Sequence, residues 1–238
     1  MTKIEWCDIT INPIVGCTKI SAGCQNCYAE KMAWRLKCMG IPKYQDVVDK
    51  NGWTGNIGVD MSVFHKLPFK EKKVFVVSMG DLFHDHVALD MLNLIYWAMR
   101  EYPWHTYILL TKRPERMAGV VGRWTQNGKY INPNVWLGVT AENQKRADER
   151  IPILLQVPAA VRFISVEPML APVEFDQFWS VLGVGIDWVI AGPETGPGAR
   201  PCKPEWIASL YEQCQDAGVP FFDKSKNYIV REFPERNG

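Results

Sequence analysis

From residue 73 onward the chain alternates short, almost wholly apolar runs with longer stretches of mixed polarity. The runs are Val74-Phe75-Val76-Val77, Tyr107-Ile108-Leu109-Leu110, Val135-Trp136-Leu137-Gly138-Val139, Val161-Arg162-Phe163-Ile164, Trp188-Val189-Ile190-Ala191 and Val219-Pro220-Phe221-Phe222. They are rich in β-branched and aromatic residues and apolar on both parities, as a strand buried on two faces must be. Helical periods lie between them. Val87 to Arg100 carries Leu89, Leu92, Ile95, Tyr96 and Met99 at helical spacing. Pro204 to Ala217 has proline in a first-turn position and Gly218 as a C-terminal stop. Strand starts recur roughly every 25–33 residues, the length of a βα unit. With a further strand expected around Thr10 to Val15, seven such units predict an α/β fold. It is expected as a parallel-stranded (β/α) barrel, full or partial, with an open doubly wound sheet as the alternative.

Residues 39–72 break the rhythm. They hold Gly40, Pro42, Gly52, Gly55, Gly58 and Pro68 with little periodicity. They are expected to form an irregular insertion after the first helix, either a lid or a surface excursion. No internal repeat or low-complexity tract interrupts the chain, so 1–238 is expected to be a single α/β barrel-type domain. With 47% hydrophobic residues a large core is available. A formal net charge of +1 removes any global basic field for nucleic acid, leaving only local patches. No apolar run is long enough to span a bilayer, and the first residues lack a signal-peptide core. A cytoplasmic protein without membrane association is the expectation.

The seven cysteines then acquire meaning, since disulfides are uncommon in a reducing compartment. Cys7, Cys38, Cys202 and Cys214 are scattered, and Cys214 shares an apolar helix face with Trp206, Ile207, Leu210 and Tyr211. Cys17, Cys24 and Cys27 are clustered as C-x6-C-x2-C within residues 16–30. A closed structural zinc site takes four ligands, so a zinc reading needs His84, His86 or Cys202 as the fourth. Three thiolates on an iron–sulfur cubane instead leave one iron open to a small molecule.

Polar residues gather where the predicted strands end, the edge at which parallel α/β proteins place their chemistry. The second strand runs into Ser78-Met79-Gly80-Asp81 and the third into Thr111-Lys112-Arg113. The fourth runs into Thr140-Ala141-Glu142-Asn143 and the fifth into Ser165-Val166-Glu167. The last two run into Gly192-Pro193-Glu194 and Asp223-Lys224-Ser225. One such glutamate is usually a cap or a surface charge; six successive polar strand ends form a pattern. A metal-dependent hydrolase is disfavoured, because only four histidines are present to build its ligand set.

The cysteine loop resembles the cluster loop of radical S-adenosylmethionine enzymes, with a longer first gap than the usual C-x3-C-x2-C. Asn26 stands where an aromatic residue usually precedes the last cysteine, and Tyr28 follows it. Nearly the whole chain also resembles an uncharacterised family of phage and bacterial proteins with a three-cysteine motif. The resemblance is carried by Ile4-Glu5-Trp6, Asn12-Pro13, Gly16-Cys17-Thr18-Lys19-Ile20-Ser21, Gly23-Cys24 and Asn26-Cys27-Tyr28-Ala29-Glu30. Further stretches are Asp81-Leu82-Phe83-His84, Leu110-Thr111-Lys112-Arg113-Pro114, Leu137-Gly138-Val139, Ser165-Val166-Glu167-Pro168, Glu194 and Gly196-Pro197-Gly198-Ala199-Arg200-Pro201. The chain departs from that family at Pro193-Glu194-Thr195 and at Ser225 after Lys224.

The resemblance implies a radical-SAM-like fold and a [4Fe-4S] cluster on Cys17, Cys24 and Cys27. The open iron would bind S-adenosyl-L-methionine, and its cleavage would yield a 5′-deoxyadenosyl radical for hydrogen abstraction. Ser78, Met79, Gly80 and Asp81 would receive the methionine amino group. Lys112 or Arg113 would pair with its carboxylate, and Glu142 or Asn143 with the ribose. Glu167, Glu194, Arg200 and Lys224 would face substrate. Arg113, Arg200 and Lys224 together would suit the phosphate of a nucleotide or nucleic acid. An electron donor such as flavodoxin or ferredoxin and a neighbouring partner protein are further implications. The alternative is a zinc-stabilised nucleic-acid-binding or accessory protein of phage origin without catalysis.

Overall fold

The computed structural model describes residues 4–125, 131–179, 185–225 and 230–234. Two compact units divide the chain, residues 1–111 and 112–238.

The first unit begins with β1 (Ile9–Ile11), parallel to a later strand, and β2 (Ile14–Val15), which belongs to a different pairing. The single strand expected over Thr10 to Val15 is therefore split. Asn12 and Pro13 separate its halves, and proline has no N–H to continue a ladder. After the cysteine loop comes α1 (Tyr28–Cys38). The region 39–72 is more ordered than its composition suggests. It holds the paired β3 (Val48–Asp49) and β4 (Gly52–Trp53), then β5 (Gly58–Val59), antiparallel to β2. Tyr44, Val47 and Val48 pack in one buried cluster with Val15, Ala29, Ala33 and Met79. The insertion is thus a scaffold beneath α1 and the cysteine loop, not a loose excursion.

β6 (Lys73–Val76), α2 (Leu89–Glu101) and β7 (Thr106–Thr111) complete this unit, in parallel order β1-β6-β7. α2 buries Leu92, Ile95, Tyr96 and Met99 of the stripe its periodicity predicts, while Leu89, its first residue, is exposed. It starts at Leu89 because Val87 closes a turn on the carbonyl of His84.

The second unit runs α3 (Pro114–Trp124), β8 (Val135–Thr140), α4 (Gln144–Leu155), β9 (Arg162–Val166), β10 (Trp188–Ala191), α5 (Pro204–Asp216) and β11 (Phe221–Asp223). Its strands are parallel in the order β8-β9-β10-β11. Every residue of β8, β10 and β11 is buried, as their unbroken apolar runs require. Trp136, Phe163 and Trp188 meet edge-on or tilted in the core. Gly138 gives way to Phe163: a Cβ there would lie 2.5 Å from its ring. Both units are therefore parallel β/α structures, three strands in one and four in the other. No helix among the described residues is long and apolar enough to cross a membrane.

Candidate metal-binding loop and polar strand ends

The cysteine loop begins at a position only glycine can occupy. Gly16 has φ +108°, and a Cβ there would lie 2.2 Å from the backbone oxygen of Asn56. Its N–H donates to Met79 O at 3.1 Å, and it forms a parallel bridge with Gly80. Gly80 is confined in turn, since a Cβ on it would lie 2.6 Å from Gly16 O. Two glycines thereby pin the start of the loop to the segment that follows β6.

Cys17 comes next, its thiol donating to Thr18 O at 3.4 Å. Cys24 ends a short 3-10 turn and lies 3.8 Å from Ser21 Oγ. Cys27 is the N-cap residue of α1, at the positive end of the helix dipole. All three are partly exposed thiols outside any disulfide. The loop is braced from both sides. Glu30 of α1 pairs with Lys19 at 2.7 Å and accepts from Trp53 N at 3.1 Å. Thr18 Oγ1 lies 3.0 Å from Nε2 of the buried His84. His84 Nδ1 accepts from His86 N at 3.2 Å, which places the ring proton on Nε2 in the neutral form and makes Thr18 the acceptor. His86 Nδ1 donates to Gly55 O at 2.8 Å, bringing the insertion to the loop.

These bonds bear on the choice of metal. Among the described residues no three Cys, His, Asp or Glu side chains converge as ligands of one ion. Of the two histidines of the zinc reading, His84 bonds Thr18 and His86 bonds Gly55. An iron–sulfur cubane would ask of this loop three thiols, one for each of three irons.

The segment after β6 carries an unusual backbone. Val77, a buried β-branched residue, has φ +67°. Such a conformation costs about 1–3 kcal/mol and is held only where its surroundings insist. Here Val77 N donates to Ile11 O at 2.8 Å, and Asn12 grips the following residues. Asn12 Oδ1 accepts from Met79 N at 2.9 Å and from Ser78 Oγ at 3.3 Å. Tyr28 OH donates to Ser78 O at 2.9 Å, so the aromatic after the last cysteine reaches this segment. Asp81 is buried, and its Oδ1 accepts from Thr111 Oγ1 at 2.7 Å and Phe83 N at 3.0 Å. Ser78, Met79, Gly80 and Asp81 therefore lie together beside the loop, each with a role in holding that edge. Asn12 and Thr18 were not singled out by chemistry, while His84 and His86 entered only as candidate zinc ligands and Tyr28 only as the aromatic after Cys27. The only sequence signal of Asn12 and Thr18 is proximity to a strand end or to a cysteine.

In the second unit the candidates fall into ion-paired groups. Glu142 is fully buried and accepts from Arg150 NH1 at 2.9 Å, while the same guanidinium donates to Thr140 O at 2.7 Å. Asn143 caps α4, its Oδ1 accepting from Arg146 N at 3.1 Å. Lys112 Nζ lies 3.4 Å from Thr140 Oγ1, and Arg113 is the buried residue before α3. Arg200 closes the loop after β10. Its backbone N and its Nε each donate to Glu194 Oε2 at 2.9 Å, and NH2 bonds the other oxygen. The Glu194 carboxylate holds the Arg200 guanidinium above its ordinary pKa. Lys224 pairs with Glu167 across Gly192, where a Cβ would meet Lys224 Cβ at 2.8 Å. Arg200 and Lys224 are thus each matched by a carboxylate, so a phosphate would have to displace one. Cys214 lies in the core of α5, and burial pushes its thiol well up. Cys202 is raised by burial, with help from Asp223 and Glu205. Cys214 is thus a core residue, as its helix face predicts.

Neither the curated proteins nor the solved structures give a match to this chain. Residues 1–235 match a family described as "Protein of unknown function (DUF5131)", and the chain belongs to that family.

Proposed function

We propose that this protein is a radical S-adenosylmethionine enzyme whose cluster is held by Cys17, Cys24 and Cys27. A radical-SAM-like (β/α) barrel is part of the same proposal. The observation that carries it is the construction of the loop. Three thiols outside any disulfide follow the first parallel strand, and Gly16 and Gly80 lock that loop to the end of the second. A bound [4Fe-4S] cluster would supply an electron to the sulfonium and so start hydrogen abstraction.

The chain's own residues have the remaining work. Gly16, Glu30 and the Thr18–His84 bond fix where the three sulfurs stand. Val77 and Asn12 set the course of Ser78 to Asp81, so that backbone groups beside the loop are pre-placed for the amino group of S-adenosylmethionine. Asp81 acts there through its bonds to Thr111 and Phe83, as a positioning residue. Lys112, Arg113, Glu142 and Asn143 remain proposed for the carboxylate and ribose; the Arg150 pair and the α4 cap make Glu142 and Asn143 the less available of these. Glu167 and Lys224 are the substrate-side groups most open to exchange, because both are partly exposed. Their opposite charges favour a ligand bearing both signs over a bare phosphate.

Anaerobic reconstitution with iron and sulfide tests this. We expect about four irons per chain, a paramagnetic signal after reduction, and 5′-deoxyadenosine on incubation with dithionite and S-adenosylmethionine. Cys24→Ala should abolish the cluster, and Cys214→Ala should leave it intact. A colourless protein carrying one zinc, with no cluster absorbance after reconstitution, would sink the proposal in favour of a zinc-stabilised accessory protein.

A further inference from the structure

β11 is three residues long and ends the order β8-β9-β10-β11. An end strand leaves one row of backbone groups without a ladder partner unless something covers it. Along a strand, successive N–H groups point to opposite sides. Lys224 N, just past β11, donates inward to Ala191 O of β10 at 2.8 Å. Phe221 N and Asp223 N point outward, where the segment 230–233 meets them. Asp223 N donates to Val230 O at 3.0 Å, and Glu232 N donates to Phe221 O at 2.9 Å. Between them Phe222 faces Arg231 in an antiparallel bridge.

Glu232 departs from an ordinary ladder in an informative way. Opposite Phe221, its carbonyl would normally accept the Phe221 N–H. That carbonyl accepts instead from Trp188 Nε1 of β10, at 2.9 Å. The Glu232 side chain turns back and supplies the acceptor, with Oε2 3.0 Å from Phe221 N. One residue therefore ties β10 and β11 together from the outer side. Phe233 adds a ring against both Trp188 and Phe222, with centroids 5.4 Å apart in each pair. Arg231 and Glu232 stay exposed, so the segment belongs to the part of a fold that opens most readily.

What this segment steadies is the root of Lys224. Lys224 follows Asp223 directly, its Cβ close over Gly192 and its amine paired with Glu167. Only 18% of its side chain is exposed. With the segment lifted, β11 would keep its β10 side alone, and three residues paired on one side hold their neighbour loosely. We propose that Glu232 is a positioning residue: through the segment it pins on β11, it holds the Lys224 amine at Glu167, ready for a ligand. The inference rests on the reading above that places Lys224 and Glu167 on the substrate side.

The test follows acetylation of individual lysines by mass spectrometry, on the full chain without added iron. Glu167→Gln frees the amine directly and sets the rate of an unpaired Lys224. Glu232→Ala should raise Lys224 labelling about fivefold, towards that rate. Lys203, whose side chain is already 62% exposed, should stay at its parent rate. Glu232→Gln keeps an oxygen for the Phe221 N–H and should return Lys224 close to the parent. Phe233→Ala loosens the same segment through a different side chain and should act in the direction of Glu232→Ala, which keeps the test decisive where that variant folds poorly. Equal Lys224 labelling in the parent and both alanine variants overturns the proposal. So does Glu232→Gln labelled as fast as Glu232→Ala, and so does a rise shared by every lysine, the mark of general loosening. The radical reading is judged separately, by iron and 5′-deoxyadenosine. Its failure beside a selective rise at Lys224 removes that reaction and leaves the positioning role standing, so the two failures are distinguishable.

Discussion

At the residue scale, the cysteine loop depends on Gly16 as much as on its sulfurs. Its φ of +108° and the 2.2 Å approach of Asn56 O to any Cβ leave no room for a side chain. Gly16→Ala is expected to cost about 2–3 kcal/mol, from a strained backbone and a contact with main chain that cannot rotate away. Urea unfolding of the variant should show that loss, together with reduced iron uptake. A variant as stable as the parent would mean that the loop start can reorganise. Val77 presents the same physics in a residue that pays more for it, since a β-branched side chain seldom adopts φ +67°. Sequence alone marks neither residue, because the clash at Gly16 comes from Asn56 and the strain at Val77 from bonds to Ile11 and Asn12.

At the scale of elements, what was legible in the chain follows from burial. The run Trp188–Ala191 coincides with β10, and the other runs fall within two residues of their strands, because both faces of those strands are covered. Thr10 to Val15 misled, since periodicity cannot say that Ile9–Ile11 pairs with β6 while Ile14–Val15 pairs with Val59 and Gly58. The clustering of Cys17, Cys24 and Cys27 was plain; the Thr18–His84 and Glu30–Trp53 braces were not, because each joins residues far apart in the chain. Asn143, a polar residue at a strand end, is also a helix cap, a role that its place after the strand alone does not reveal. Residues 39–72 misled most, since glycine and proline are common both in loose loops and in tight ones. Tyr44 is only 4% exposed and anchors that region under α1. Tyr44→Ala should therefore cost about 3–5 kcal/mol, the usual loss for a buried ring. If the region were a detached lid, the same change would be nearly silent in stability, and thermal or urea unfolding decides between these.

At the scale of the whole molecule, a formal net charge of +1 keeps self-repulsion small near neutral pH, where individual groups set the pH dependence. Two carboxyls act in opposite senses. Asp60 is held below its ordinary range, first by the Ser62 hydroxyl and then by Lys43, so it contributes stability above the unfolded value that is lost as pH falls through the folded one. Asp60 and Lys43 are both partly exposed, and solvent keeps that contribution small. Asp187 is raised by burial, against the opposing hydrogen bond from Arg162 N, which reaches its Oδ2 at 2.7 Å. Raising a carboxyl means that the folded state holds its proton more tightly than the unfolded one. Its contribution is therefore complete below about pH 4, the unfolded range, and disappears as pH rises through the folded value. At neutral pH the ionised group is a cost that the Arg162 N–H only partly offsets. Asp187→Asn keeps an oxygen to accept that N–H and removes the charge. It should raise the urea midpoint at pH 7 and converge with the parent near pH 4. A variant destabilised at pH 7, with the gap closing towards acid, would show instead that the charge itself holds the start of β9, and the sign assigned to its burial would be wrong.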